Sequence, residues 1–188
     1  MANPLTGHCY LGMLVLMGSN RGYEPGLITV MASWERMLSG ANHLGDPATL
    51  ERDLVRDLLI AAAAGSTGQA LAGAEVLRAV PAGTAALYGQ TPTFGDGEWF
   101  SATMVGDEVT VGPRVERLRM CARSLWEGAE ASKRAQANAG TLWGWAAWVS
   151  GHTPEARGAL VAVLDAQPQH SAAGLLLQVL DFRRTQGL

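Results

Sequence analysis

Charge is scarce in this chain, and what there is nearly cancels. Only 16% of its 188 residues are Asp, Glu, Lys or Arg, and 14 cations stand against 17 anions for a formal net charge of −3. A duplex nucleic-acid binder ordinarily carries a basic domain or stripe, so bulk electrostatics give no case for such a partner. Apolar residues reach 48%, which excludes a disordered chain. So lightly charged a surface predicts partial cover, by a protein partner or by self-association into a homo-oligomer.

Cysteine is scarcer still. Cys9 and Cys121 lie far apart, and neither belongs to a CxxC pair or to a Cys/His cluster with metal-ligand spacing. No disulfide framework, metal or cofactor is predicted, and a reducing cytoplasm is the expected setting. Long apolar runs are missing too. Residues 8–17 (HCYLGMLVLM) are too short to cross a bilayer and follow no Lys or Arg, so they fit neither a membrane span nor a signal peptide.

What is present is periodicity. The run at 8–17 ends in Gly18-Ser19-Asn20 and is read as a strand. Leu27 to Met31 is a second short apolar run, a strand or the start of a helix, and Trp34, Met37 and Leu38 fall at near-helical spacing. Asp46-Pro47 supplies a cap and a first helical position. The helix that follows is amphipathic, with Leu50, Leu54, Val55, Leu58 and Leu59 on one stripe and Glu51, Arg52, Asp53, Arg56 and Asp57 on the other, up to Gly65. Thr67 caps a second short helix to about Ala79. Residues 58–73 (LLIAAAAGSTGQALAG) lack the phosphate-loop glycine patterns and read as helix end, turn and new helix.

Between Thr84 and Gly112 the composition turns to that of strands. Trp99 to Val105 and Glu108 to Val111 are rich in aromatic and β-branched residues around Gly106-Asp107, which predicts a β-hairpin near residues 98–112. From Pro113 the helical period returns: Val115, Leu118, Ala122, Leu125, Trp126 and Ala129 mark a helix to about Ala131. Three more helices are predicted at Thr141 to Ser150, Pro154 to Ala166 and Ser171 to about Arg184, joined by short connections. The fold class is therefore α+β, mainly α, with an α+β region over 1–112 and a helical region over 113–188, together forming one or two units.

The segment from Asn138 to His170 resembles a tetratricopeptide repeat in the spacing of Gly144, Gly151, Ala156, Leu160 and Pro168. Trp143 and Ala147 depart from that motif, and no second copy appears upstream at the period of about 34 residues. From about Leu142 to Leu188, WGWAAWVSG, EARGALVAVLDAQP and SAAGLLLQVLDF resemble the C-terminal part of an uncharacterised actinobacterial and phage family, domain of unknown function 4192. That resemblance implies no catalytic residues.

Candidate binding residues are Trp143, Trp145 and Trp148, since tryptophan is enriched at interface hot spots. The rival reading is core packing. Leu142, Trp145, Ala146 and Val149 share one helical face, Gly144, Ala147 and Trp148 the opposite one, and Trp143 flanks both. Cys9 or Cys121 with His8, His43, His152 or His170 is a formal nucleophile pairing. Adjacent strand residues point apart, which argues against a His8 and Cys9 dyad, and Cys121 lies on an apolar stripe. Arg114, Arg117, Arg119, Arg123, Lys133 and Arg134, with Arg183-Arg184, form either a modest anion-reading patch or a solvated face. No catalytic, cofactor or metal residue is assigned. The function expected is a non-enzymatic protein-interaction or self-associating module, with an enzyme of unrecognised type or a weak nucleic-acid binder as the alternatives.

Overall fold

A computed structural model describes residues 26–41, 45–107, 109–128 and 131–186. Among them there is no strand. Eight α-helices follow in chain order: α1 (Leu27–Leu38), α2 (Asp53–Ala64), α3 (Thr67–Val76), α4 (Phe94–Met104), α5 (Pro113–Glu127), α6 (Lys133–Val149), α7 (Thr153–Ala166) and α8 (Ser171–Gln186), with short 3-10 turns at Pro47–Glu51 and Ala85–Tyr88. The described fold is all-helical, so the α+β expectation is wrong: the helices it placed are present, and the strands it placed among the described residues are not. The strand expected at 8–17 lies outside the described residues.

Leu27 to Met31 belongs to α1, where Leu27, Met31, Trp34 and Leu38 recur on one buried face at a helical period. Trp34 donates its indole N–H to Thr49 Oγ1 (2.9 Å) and lies so close over Gly45 that a Cβ there would sit 2.4 Å from its ring. Asp46 caps the Pro47–Glu51 turn, accepting from the Ala48 amide at 3.0 Å.

The first strand of the expected β-hairpin falls on α4 and its C-terminal turn, and residues 109–111 of the second have no regular structure. Three features outweigh the strand-like composition of α4. A capping box starts the helix, with Asp96 accepting from the Thr93 amide (2.7 Å) and hydroxyl (2.8 Å). Gly97, Phe100, Thr103 and Met104 are buried at helical spacing. Gly106 then uses its positive φ of 73° to end the helix, the next amide, Asp107, bonding back to the Ala102 carbonyl at 2.9 Å. The glycine in mid-helix is a packing residue: a Cβ at Gly97 would meet Val76 Cγ1 at 2.8 Å, and one at Gly73 would meet Phe100 Cβ at 2.6 Å, so α3 and α4 cross almost backbone to backbone.

The centre of the fold is α2. Every residue from Val55 to Ala63 is buried, with α1, α3, α4, α5 and α6 packed around it. Helices α5 to α8 pack in sequence, α6 touching both α5 and α7. On α6, Gly140 and Gly144 lie one turn apart and admit Val163, Trp126 and Leu160; a Cβ at Gly140 would be 2.4 Å from Val163 Cγ2. One contiguous core runs from Leu27 to Leu176. No described helix is long and apolar enough to cross a membrane.

Candidate functional site

The sequence of α2 opens Asp53-Leu54-Val55-Arg56-Asp57, which puts Asp53, Arg56 and Asp57 within one turn of each other. Read as solvent-facing, Arg56 and Asp57 are in fact 7% and 5% exposed. The expectation failed because α2 was given one buried face, whereas α6 and the start of α8 cover the other.

From α6 comes Asn138, fully buried, and it is the hub. Its Oδ1 accepts from Arg56 Nη1 (2.9 Å) and from His170 Nε2 (3.0 Å), while its Nδ2 donates to the Leu50 carbonyl (2.7 Å) and to Asp53 Oδ1 (3.1 Å). Both amide protons and two acceptor positions are used, which fixes the amide orientation. It also fixes the histidine tautomer. His170 carries its proton on Nε2, and Nδ1 accepts from the Ala173 amide (3.2 Å) at the first turn of α8. Burial, then the nearby Arg56 charge, hold its pKa down to about 4.

Two carboxylates beside one arginine end with opposite shifts, because one is buried far more deeply than the other. Asp57 receives Arg56 Nε (2.8 Å) and Nη2 (2.7 Å) on a single oxygen, Oδ1. Its Oδ2 has no hydrogen-bond partner among the described residues. Burial exceeds the attraction of Arg56, so the Asp57 pKa is raised. Asp53 is more open and is also bonded by Arg134 Nη2 (2.8 Å). Burial opposes its ionisation, but Arg134, Arg56 and Asn138 together bring its pKa below the usual value.

A cleft of about 60 Å³ opens beside this network. Asp53, Arg56, Asp57, Thr141 and Ser171 give it a polar side, and Ile60, Met104, Leu175 and Leu176 an apolar one. Such a volume takes one small group rather than a whole substrate. Sequence reasoning missed every polar member. Two signals pointed to them: the apolar run Leu58 to Ala64 leaves no solvent face for that half of α2, and Asn138 stands alone in an Ala-Asn-Ala-Gly stretch of small residues.

The three tryptophans do not converge. Trp145 is fully buried and donates to the Thr103 carbonyl at 3.0 Å. Trp143 is half-buried, donating to Glu155 Oε1 (2.6 Å) beneath the Arg123 guanidinium, 5.5 Å from the ring centre. Trp148 is half-buried under Arg183 at 5.1 Å. Cys121 is buried, and burial raises its thiol pKa to about 11, so a thiolate there is disfavoured. His152 is exposed, and Cys9, His8 and His43 lie outside the described residues.

The arginines are largely spent within the fold. Arg114 makes a two-pronged pair with Glu35 (2.7 and 2.8 Å), Arg117 donates to the Leu38 carbonyl (2.7 Å), and Arg119 bridges Glu116 and Glu155. Arg123 pairs with Glu127 and Arg183 with Asp107. The Glu35 clasp ties α1 to α5, and its hydrogen bonds, led by those from Arg114 and opposed by burial, lower its pKa to about 2. Among the described residues no three His, Cys, Asp or Glu side chains are grouped to hold a metal ion.

The model of a family described as a domain of unknown function, DUF4192, matches residues 24–183, and the chain belongs to that family. No curated protein and no solved structure matches the chain.

Proposed function

Taking membership of that family as the premise, we propose that this chain is a non-enzymatic binding module that grips its partner through the cleft beside Asp57. The observation that carries this is the Asp57 carboxylate, 5% exposed, which lines a partly apolar cleft and leaves one oxygen without a partner among the described residues. A carboxylate oxygen accepts hydrogen bonds readily, so one left unpartnered on a residue that lines a cleft is suited to bond whatever enters it.

Two further features support binding over turnover. The histidine nearest the cleft has both ring nitrogens engaged, which leaves it no lone pair for proton abstraction. The cleft has room for an anchor group, such as one side chain or end group of a protein partner or of a second copy. The module is set in the cytoplasm, a reading that the free thiol of Cys121 supports.

Amide NMR of the whole chain against a library of very small molecules tests the proposal. Saturable shifts confined to residues 53–60, 138–141 and 171–176 are expected. A library that moves no amide in these segments overturns it.

A further inference from the structure

We infer that the group seated in the cleft is a primary ammonium on a short aliphatic stem. This rests on the reading of the cleft as the binding site and adds the chemistry of what it holds.

Among the described residues the polar side of the cleft has an open charged acceptor but no open charged donor to match it. Arg56 is the only cation lining the cleft among the described residues, and it is already divided: Nε and Nη2 go to Asp57 Oδ1, while Nη1 reaches Asn138 Oδ1 and, more distantly, Asp53 Oδ1 at 3.5 Å. At most one of its five N–H groups is left, so an incoming carboxylate or phosphate would meet no two-pronged receptor. It would also be set against two carboxylates, Asp53 and Asp57, at close quarters. Arg134, the second partner of Asp53, does little to offset this, because its side chain is 62% exposed and its charge is screened by water.

Asp57 Oδ2 by contrast is an open acceptor on a largely buried side chain at the wall of the cleft. Burial has left this carboxylate under-compensated, as the rise in its pKa shows, and a cation beside it supplies the missing counter-charge. An ammonium brings three donors on one atom, enough for Oδ2 with others left for the Thr141 and Ser171 hydroxyls that line the same cleft. A slender ammonium and its stem suit a cleft of about 60 Å³ that is open at one side. The methylenes have their own wall in Ile60, Leu175 and Leu176.

Three probes of equal length separate the possibilities: n-butylammonium, n-butanol and butyrate, each titrated into the full chain at neutral pH and followed by amide NMR. We expect butylammonium to give saturable shifts at residues 53–60 and 171–176 with at least tenfold tighter binding than butyrate, and butanol in between. The variant Asp57→Asn, which keeps shape and an acceptor oxygen but removes the charge, should weaken butylammonium at least tenfold and leave butanol within about twofold. Ala172→Phe, which fills the cleft from α8 without touching the buried network, should abolish binding of all three and serves if Asp57→Asn does not fold. If butanol or butyrate binds in the cleft as tightly as butylammonium, the ammonium inference falls and the cleft remains a binding site. If none of the three moves these amides, both the inference and the cleft reading fall.

Discussion

Replacing Arg56 with methionine tests whether the buried network is held by charge pairing. Arg56 is the only partner of Asp57 among the described residues, the two side chains are 9% and 7% exposed, and their contacts are 2.7 and 2.8 Å. Arg56→Met removes those contacts and strands a carboxylate in the core. Breaking a buried pair from one side costs about 3–5 kcal/mol, because the surviving charge has lost its compensation. Neighbouring groups are spared: Asn138 Oδ1 keeps His170, and Asp53 keeps Arg134. Removing both charges, in Arg56→Met with Asp57→Leu, leaves no buried ion, and a hydrophobic pair of similar volume is often as stable as the ion pair it replaces. The double variant should therefore lie within about 1 kcal/mol of the parent, with a coupling of about 2–4 kcal/mol in urea unfolding. The loss in the single variant should also shrink on acidification relative to the parent at the same pH. Asp57 has its pKa raised by burial even with Arg56 beside it, so without that arginine it takes up a proton more readily in the folded state, and folding is favoured as pH falls. Losses in the two single variants that simply add in the double, or a single-variant loss under about 1 kcal/mol, would refute the reasoning.

His170 predicts a pH dependence of the usual acid-labile sign. The folded protein keeps it neutral down to about 4, whereas the unfolded chain protonates it near 6.5, so the unfolded state binds the extra proton across that window and stability falls as pH drops through it. The loss should be about 2–3 kcal/mol after allowing for partial exposure, and His170→Gln should flatten the urea midpoint across the same range; an unchanged slope counts against the assignment. Two glycine-to-alanine changes should have opposite signs. Gly140→Ala drives a Cβ to 2.4 Å from Val163 Cγ2 and 2.7 Å from Trp126 Cε3 and should cost about 1–3 kcal/mol, while Gly158→Ala, in open space on α7, should gain up to about 1 kcal/mol from helix propensity. Equal effects by thermal unfolding would show that helix propensity, not the α6 to α7 contact, governs both sites.

Helices α5, α7 and α8 were legible because apolar residues recur at three and four positions, and because Pro113 and Pro154 mark first turns. The start of α6 was missed because alanine is the only apolar residue in its first two turns (KRAQANAG), with too little contrast between faces to show a period; Ser132, which accepts from the Ala135 amide at 3.2 Å, was the overlooked cap. For α4 the error had another origin. Phe, Trp, Thr and Val suit a pleated surface, and Gly95 and Gly97 resemble turn residues, but β-propensity measures fit to a half-buried surface and a helix crossing offers one too. Thr93 and Asp96, three apart, were the local sign of a helix start. The site was illegible for a third reason. Five charged residues beside five apolar ones is the pattern of a surface helix, and only tertiary cover by α6 and α8 turns Arg56 and Asp57 inward.

That cover also separates scaffold from site within the network. A core of this kind could be built with apolar side chains at 56, 57, 138 and 170 at little or no loss of stability, since the desolvation of each charge takes back most of what its pairing returns. What polar groups add is geometry. Asn138, with four bonds in four directions, permits one placement of Leu50, Asp53, Arg56 and His170, and so fixes the angle at which α2, α6 and the start of α8 meet. Each of those bonds is internal and offers nothing to a ligand. Asp57 differs: one oxygen holds the arginine and the other has no partner among the described residues. Had the network served packing alone, the stable arrangement would have closed on both oxygens, or placed leucine there. A rigid frame around one unmatched acceptor is what a binding site needs, because the ordering that a ligand would otherwise have to bring about is already present in the fold.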